Sequence, residues 1–181
     1  TLTLSEGLNE SVREAVLKVV LTVDERTVNY YTRIRRPANI AAWDSLAFAK
    51  EFHTNALEKQ NSEALELRLE PNQESDNTTY QTVNIHSDIN HIQWGNLEPQ
   101  VAGEVEWSIK ESNSVYTSVL AEYQVSCTDE NGEIGAYNVR EFFRVRKEGD
   151  AFYLLNYNRD MQKVFSGGQH SFDEDGILLG I

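Results

Sequence analysis

One cysteine stands in the 181 residues, Cys127, so the chain can close no disulfide within itself. It lies in a strand-like run with no basic neighbour in sequence to lower its pKa, and reads as a small apolar core residue. A single cysteine suits a reducing cytosol, and equally an exported bacterial domain that does without disulfides. No apolar run approaches the ~20 residues of a membrane-spanning helix. The densest stretch, Val16–Val23, is interrupted by Lys18 and Thr22. No secretory leader is visible, and a chain that begins at Thr1 rather than Met reads as a fragment or a processed form. Basic charge is scarce as well: 16 Lys and Arg face 29 Asp and Glu, a formal net charge of −13. Such a chain gains nothing from the counterion release that drives binding to phosphate backbones, so no direct nucleic-acid binding is expected. Anionic membrane surfaces are disfavoured for the same reason.

The usual signatures of chemistry are missing too. Gly167-Gly168 has no strand–turn–helix context for a phosphate loop. There is no Cys/Cys or Cys/His set for zinc, and no Gly-x-Ser-x-Gly nucleophile elbow. The sequence therefore assigns no catalytic residue, no cofactor and no metal, and it reads as a binding or assembly module rather than an enzyme.

What is present is the composition of one folded domain: 40% hydrophobic residues, 25% charged, and well supplied with aromatics. Thr1 to Glu10 is polar and reads as loose. Val12, Val16, Val19, Val20 and Val23 fall at helical spacing with Ser11 as a cap, yet the same valines favour a strand, and both readings stay open. Asn29–Arg36 sets Arg33, Arg35 and Arg36 beside Tyr30 and Tyr31 and ends at Pro37; such a set can stack on bases, but in so acidic a chain it reads as a basic linker or a membrane-proximal segment with solvated charges. The clearest helix spans Ile40 to Lys59, with Phe48, Phe52 and Ala56 on one face and Trp43 close to it. A short helix from Ser62 to Glu70 precedes Pro71, and Asn72–Thr79 is a polar loop.

From Tyr80 the period changes to two. Tyr80–Ile85 and Ile89–Trp94 read as strands, followed by Val101–Lys110, Val115–Thr128, Ile134–Lys147 and Phe152–Tyr157. Ser112-Asn113-Ser114, Glu130-Asn131-Gly132 and Glu148-Gly149-Asp150 have hairpin turn chemistry, which makes the strands sequential and antiparallel. The expected fold class is α+β: N-terminal helices packed on a curved antiparallel sheet of about four to six strands, in the cone of nuclear transport factor 2-like domains. The expected organisation is an N-terminal segment over 1–39, the domain over 40–165 and a C-terminal tail over 166–181 whose apolar end is Ile177-Leu178-Leu179.

Four histidines are present, His53, His86, His91 and His170, and the Asp88–His91 stretch reads as a surface loop. Asp88 and His91 are three apart, but in a strand-and-turn context that spacing does not put them on one helix face. His53 follows Phe52 on the main helix; paired with Asp44 or Glu141 it is the best acid–base candidate, in a cavity between helix and sheet. Glu141 has the inward parity of Val139 and Phe143, and since an inward carboxylate is costly unless paired, a strand end or bulge in water is the expected escape. Arg140, Arg144 and Arg146 have the opposite parity and share one sheet face. They can form cross-strand ion pairs, with Glu104 and Glu106 on the polar face of a neighbouring strand, or they can form an interface to an acidic partner or a second copy. Asn9-Glu10-Ser11 and Asn77-Thr78-Thr79 match the short glycosylation acceptor pattern.

The run Ala42-Trp43-Asp44-Ser45-Leu46-Ala47-Phe48-Ala49-Lys50-Glu51-Phe52, then Asn61 to Leu69, then Val139-Arg140-Glu141-Phe142-Phe143-Arg144-Val145 and Phe152-Tyr153-Leu154-Leu155, resembles the TcpC-type conjugation proteins of Gram-positive bacteria, which belong with the eighth VirB component of type IV secretion systems. The resemblance spans about residues 40 to 157. The Asn-Pro-x-Gly partner motif of Gram-negative members is missing, since Pro37, Pro71 and Pro99 follow Arg or Glu. The resemblance implies a nuclear transport factor 2-like cone on the cell-wall side of the membrane, anchored by a single helix that is not in this sequence. It implies self-association and contacts with other secretion-channel proteins, a scaffold role in DNA transfer, and no catalysis.

Overall fold

A computed structural model describes residues 13–35, 40–71, 77–128, 134–164, 172–173 and 176–177. The loose start, the Ser11 cap, the Asn9 acceptor pattern, the Pro37 break, most of the 72–79 loop, the Glu130–Gly132 turn, His170 and Leu178-Leu179 lie outside the described residues. The chain divides into two compact units, Thr1–Ile40 and Ala41–Ile181, each described by itself.

The first unit is a hairpin. Strand β1 (Glu14–Val23) pairs antiparallel with β2 (Arg26–Arg35), from Glu14 opposite Arg35 to Val23 opposite Arg26. The valines decide for strand over helix, because their branched Cβ packs well on a pleated surface and crowds a helix. Asp24 turns the chain at φ +54, a left-handed position that Asp tolerates better than most residues. The tyrosine- and arginine-rich segment expected as a linker is instead the second strand. Its alternation places Arg33 and Arg35 beside Glu14, with which both form ion pairs.

The second unit holds a five-stranded antiparallel sheet in the order β3 (Thr82–Asn84), β7 (Ala151–Lys163), β6 (Ile134–Glu148), β5 (Thr117–Thr128), β4 (Gln100–Ser112). The α+β class and the antiparallel sheet stand. The number of sheets does not: β1–β2 and a short ladder of β8 (Phe172–Asp173) with β9 (Gly176–Ile177) are separate from the main one.

Helix α1 (Ala42–Leu57) is made of strong helix formers and buries Ser45, Ala49, Phe52, His53 and Ala56, a stripe at three- and four-residue spacing. Trp43 is 77% exposed rather than near that stripe. It precedes Phe52 by nine residues, which at about 100° per residue is half a turn away. Helix α2 (Ser62–Glu66) is shorter than expected, but Leu65 and Leu69 are both buried.

The segment expected as a strand at Ile89–Trp94 is a one-turn helix, α3 (Ile89–Ile92). Asp88 caps it, accepting from the His91 amide at 2.8 Å, so the Asp88/His91 spacing was a capping signature. Strand β7 runs six residues beyond Tyr157, because the polar residues Asn158, Asp160 and Gln162 alternate with Arg159 and Met161. The hydrophobic run ends at Tyr157; the period of two does not.

The core joins Phe52, Ile92, Val119, Phe143, Val145 and Tyr157 on one side with Trp94, Tyr123, Val125 and Val139 on the other, and Trp107 packs against both groups. Cys127 is buried among them, and burial pushes its thiol pKa up, which makes it inert. Among the described residues no helix is long and apolar enough to cross a membrane.

Candidate functional site

Three elements converge on one buried polar cluster. Helix α1 carries His53 at the edge of its apolar stripe. Strand β6 turns Glu141 inward between Val139 and Phe143. Strand β7 turns Tyr157 and Arg159 inward by the same alternation. The register sets Glu141 directly opposite Ala121 of β5 on one side and Arg159 of β7 on the other. The small side chain of Ala121 leaves room above the strand for His53 to reach the carboxylate.

Both oxygens of Glu141 are occupied. His53 Nδ1 donates to Oε2, and the Tyr157 hydroxyl donates to Oε1 at 2.7 Å. Arg159 donates to the backbone carbonyls of Ile92 and His91 at 2.9 and 2.7 Å, and its guanidinium lies 3.9 Å from the Trp94 ring centre. The His53 ring meets Trp107 and Tyr123 edge-on, at centroid distances of 5.4 and 5.0 Å. Glu141 is 1% exposed and Arg159 is 0%. The expectation that Glu141 escapes to water is therefore corrected. It sits mid-strand, and the irregularity of the β6–β7 pairing falls at Arg144 and Val145 instead. Its partners are 88 and 16 residues away in sequence, beyond the reach of local pattern.

Of the two partners proposed for His53, the structure chooses Glu141. Asp44 bonds Lys147 at 2.5 Å on the surface. His86 Nδ1 lies 2.8 Å from the carbonyl of Glu70. His91 stacks on Tyr80 and bonds Asp88 at 2.8 Å. Burial works to raise the Asp88 carboxyl, but the hydrogen bonds and charge of His91 outweigh it and hold the group below its ordinary value. Among the described residues no group of three His, Cys, Asp or Glu side chains forms a metal site.

Electrostatics make the cluster a locked one. Burial pushes the Glu141 carboxyl up, but the charge and hydrogen bond of His53, the charge of Arg159 and the Tyr157 hydroxyl together hold it below its ordinary 4.5. Burial, reinforced by the charge of Glu141, pushes the Tyr123 and Tyr157 phenols well above 10.0. Chemically this is an ionised carboxylate with both oxygens spent on internal donors, a poor general base. The sign of the pH dependence follows. Glu141 contributes stability fully above about pH 4.5, and the contribution drains away as pH falls through the lower folded value. The tyrosines contribute fully below about pH 10 and lose their contribution as pH rises past it. Unfolding free energies from denaturant titrations at a series of pH values are expected to form a plateau between these limits, falling by up to about 1.4 kcal/mol per pH unit per group outside it.

Sequence reasoning missed Tyr123, Trp94, Tyr157 and Arg159. One signal was available: Arg159 shares parity with the inward Tyr157, and two inward residues of opposite charge at facing positions on adjacent strands point to a buried charged cluster.

The three candidate interface arginines do share the face of the sheet turned away from α1. Arg140 pairs with Glu122 at 3.3 Å, not with Glu104 or Glu106. Arg144 lies over the rings of Tyr116 and Phe142 and donates to Ser118 at 3.3 Å. Arg146 lies over Tyr153 and 3.2 Å from Glu148. Comparisons with protein families, with curated proteins and with solved structures gave no match.

Proposed function

We propose that this chain is a non-catalytic assembly domain with a nuclear transport factor 2-like cone, serving as a scaffold of a Gram-positive conjugative type IV secretion channel outside the cytoplasmic membrane. The observation that carries the assembly reading is the occupied interior. A cone that works on small molecules keeps an open cavity with convergent polar groups. Here the groups that would serve converge on one another. His53, Glu141 and Tyr157 are 5%, 1% and 0% exposed. Around them Phe48 stacks on Phe152, and Phe52, Phe143 and Tyr157 meet ring to ring within 5.8 Å. The secretion reading rests on the resemblance of residues 40 to 157 to the TcpC-type proteins.

The test is conjugative transfer from a donor lacking the gene. Transfer is expected to fall to background on deletion. It is expected to return with the wild-type gene, and with a folded His53→Asn/Glu141→Gln double variant, because the cluster holds the fold and turns over nothing. Undiminished transfer after deletion would sink the secretion reading. A folded double variant that fails to restore transfer would return the His53 cluster to the role of a catalytic site.

A further inference from the structure

We infer that the β1–β2 hairpin is a dimerisation arm, whose apolar face docks on the same face of a second copy of this chain. The inference rests on the assembly reading and names a surface that does the assembling.

The register divides the hairpin into two unlike faces. Every odd residue of β1 from Ala15 to Val23 is apolar, and Ile34, Thr32, Tyr30 and Val28 of β2 stand opposite the first four. Arg26, opposite Val23 beside the turn, is the one charged residue of the two strands on this face. The other face carries Glu14, Lys18, Thr22, Thr27, Arg33 and Arg35, and its polar groups find partners within the hairpin. Arg33 and Arg35 pair with Glu14, Lys18 lies over the Tyr31 ring, and Thr22 bonds Thr27 at 3.2 Å. Val16 and Val20 are exposed there too, but singly, among charged and polar neighbours. On the apolar face Leu21, Val28 and Tyr30 adjoin one another and are 51%, 49% and 56% exposed. Among the described residues neither ten-residue strand has a third strand beside it. Such a hairpin is marginal in water at best, and a further layer on its apolar face is what stability requires.

A second copy supplies that layer, and the charges set its direction. A two-fold axis lying between the two apolar faces, across the strands at the level of Val19 and Tyr30, places each of these residues over its own counterpart and Leu17 over the level of Leu21. It also lays the turn of one copy over the open end of the other. The turn, Asp24, Glu25 and Arg26, has a net charge of −1, and the open end, Arg13, Glu14, Arg33 and Arg35, has +2. An axis along the strands would stack turn on turn and open end on open end, like charge on like. The hairpins are therefore complementary head to tail. Two strands at ~4.8 Å spacing, with ten residues at ~3.3 Å each, give about 320 Å² per copy in projection, which belongs with the small, transient interfaces. A Kd in the micromolar range is expected.

The test is sedimentation of the full chain together with amide exchange along Glu14–Arg35, both read from about 1 µM to about 1 mM. The mass is expected to rise towards twice 20.7 kDa, and exchange in the hairpin to slow in step with it. Val19→Lys sets two ammonium groups against each other at the axis and should weaken the dimer about a hundredfold or more. Val20→Lys, one residue on but on the other face, should change it by less than about threefold. Glu25→Lys should weaken it about tenfold, although it lowers a net negative charge that by itself opposes association. Melting of the second unit, which holds Trp43, Trp94 and Trp107, should be unchanged by tryptophan fluorescence in all three, so a lost dimer is not a lost fold. A wild-type chain that stays monomeric, hairpin amides that exchange at one rate at every concentration, or Val20→Lys as disruptive as Val19→Lys would overturn the inference. So would a dimer strengthened by Glu25→Lys, which would place the turns together. The transfer assay would be untouched by that failure, since the scaffold reading can stand on other surfaces.

Discussion

Glu141→Leu is expected to lower the stability of this chain by about 3–5 kcal/mol, the cost of breaking a buried ion pair from one side. Leucine is close to glutamate in size and would suit the aromatic surroundings, so packing alone forecasts a mild effect. Charge and hydrogen bonding forecast a severe one. His53 and Tyr157 would each keep a donor with no acceptor, and Arg159 would keep its charge at 0% exposure with no carboxylate opposite. At about 2–4 °C per kcal/mol for a chain of this size, the melting temperature should fall by roughly 10 °C or more. Denaturant titration with unchanged m-value checks it. A loss under about 1 kcal/mol would mean that water reaches the carboxylate in the native state.

Arg159→Met is expected to cost a similar amount, through a different set of groups. The guanidinium donates to two carbonyls at the end of α3, that of Ile92 and that of His91, which also accepts from the Trp94 amide at 3.2 Å. It also covers Trp94, which stands at φ +65, a backbone conformation that side-chain-bearing residues adopt at a cost. Methionine fills part of the stem's volume but supplies no donor. The variant should therefore lose stability and also loosen the α3 turn, read as a change in tryptophan fluorescence before global unfolding. Removing both charges, in Glu141→Leu/Arg159→Met, should cost clearly less than the sum, because each single variant strands the charge that the double removes. Additive losses would show that the two residues do not share one electrostatic cluster.

Most of the fold was legible in the sequence where one period ran unbroken. Phe48, Phe52 and Ala56 marked α1, and the alternation through Val119 to Val125 and Val139 to Val145 marked β5 and β6. The failures have physical causes. In β2, Tyr and Arg obscured a strand that is held by pairing to β1. In α3, Ile89 and Ile92 fit either a strand or a helix, and only the Asp88 cap decides. Parity was the most informative single feature, since it put Glu141 inside and Arg140, Arg144 and Arg146 outside. Parity says nothing about partners, however, so it could not show that a histidine 88 residues earlier and an arginine on the next strand would make the inward carboxylate tolerable. Each of these groups alone looks like an error in a core; together their charges offset one another, with His53 and Tyr157 filling both oxygens of Glu141.

The measurement that bears most directly on this account is the titration of the Glu141 carboxyl, followed by carbon NMR with the signal identified from its absence in Glu141→Gln. A locked structural cluster predicts a carboxylate that stays ionised below pH 4.5 and gains its proton only as the chain unfolds. A midpoint at about pH 6 to 7 in the folded protein, where general acids and bases operate, would contradict it and mark the cluster as a site for proton transfer.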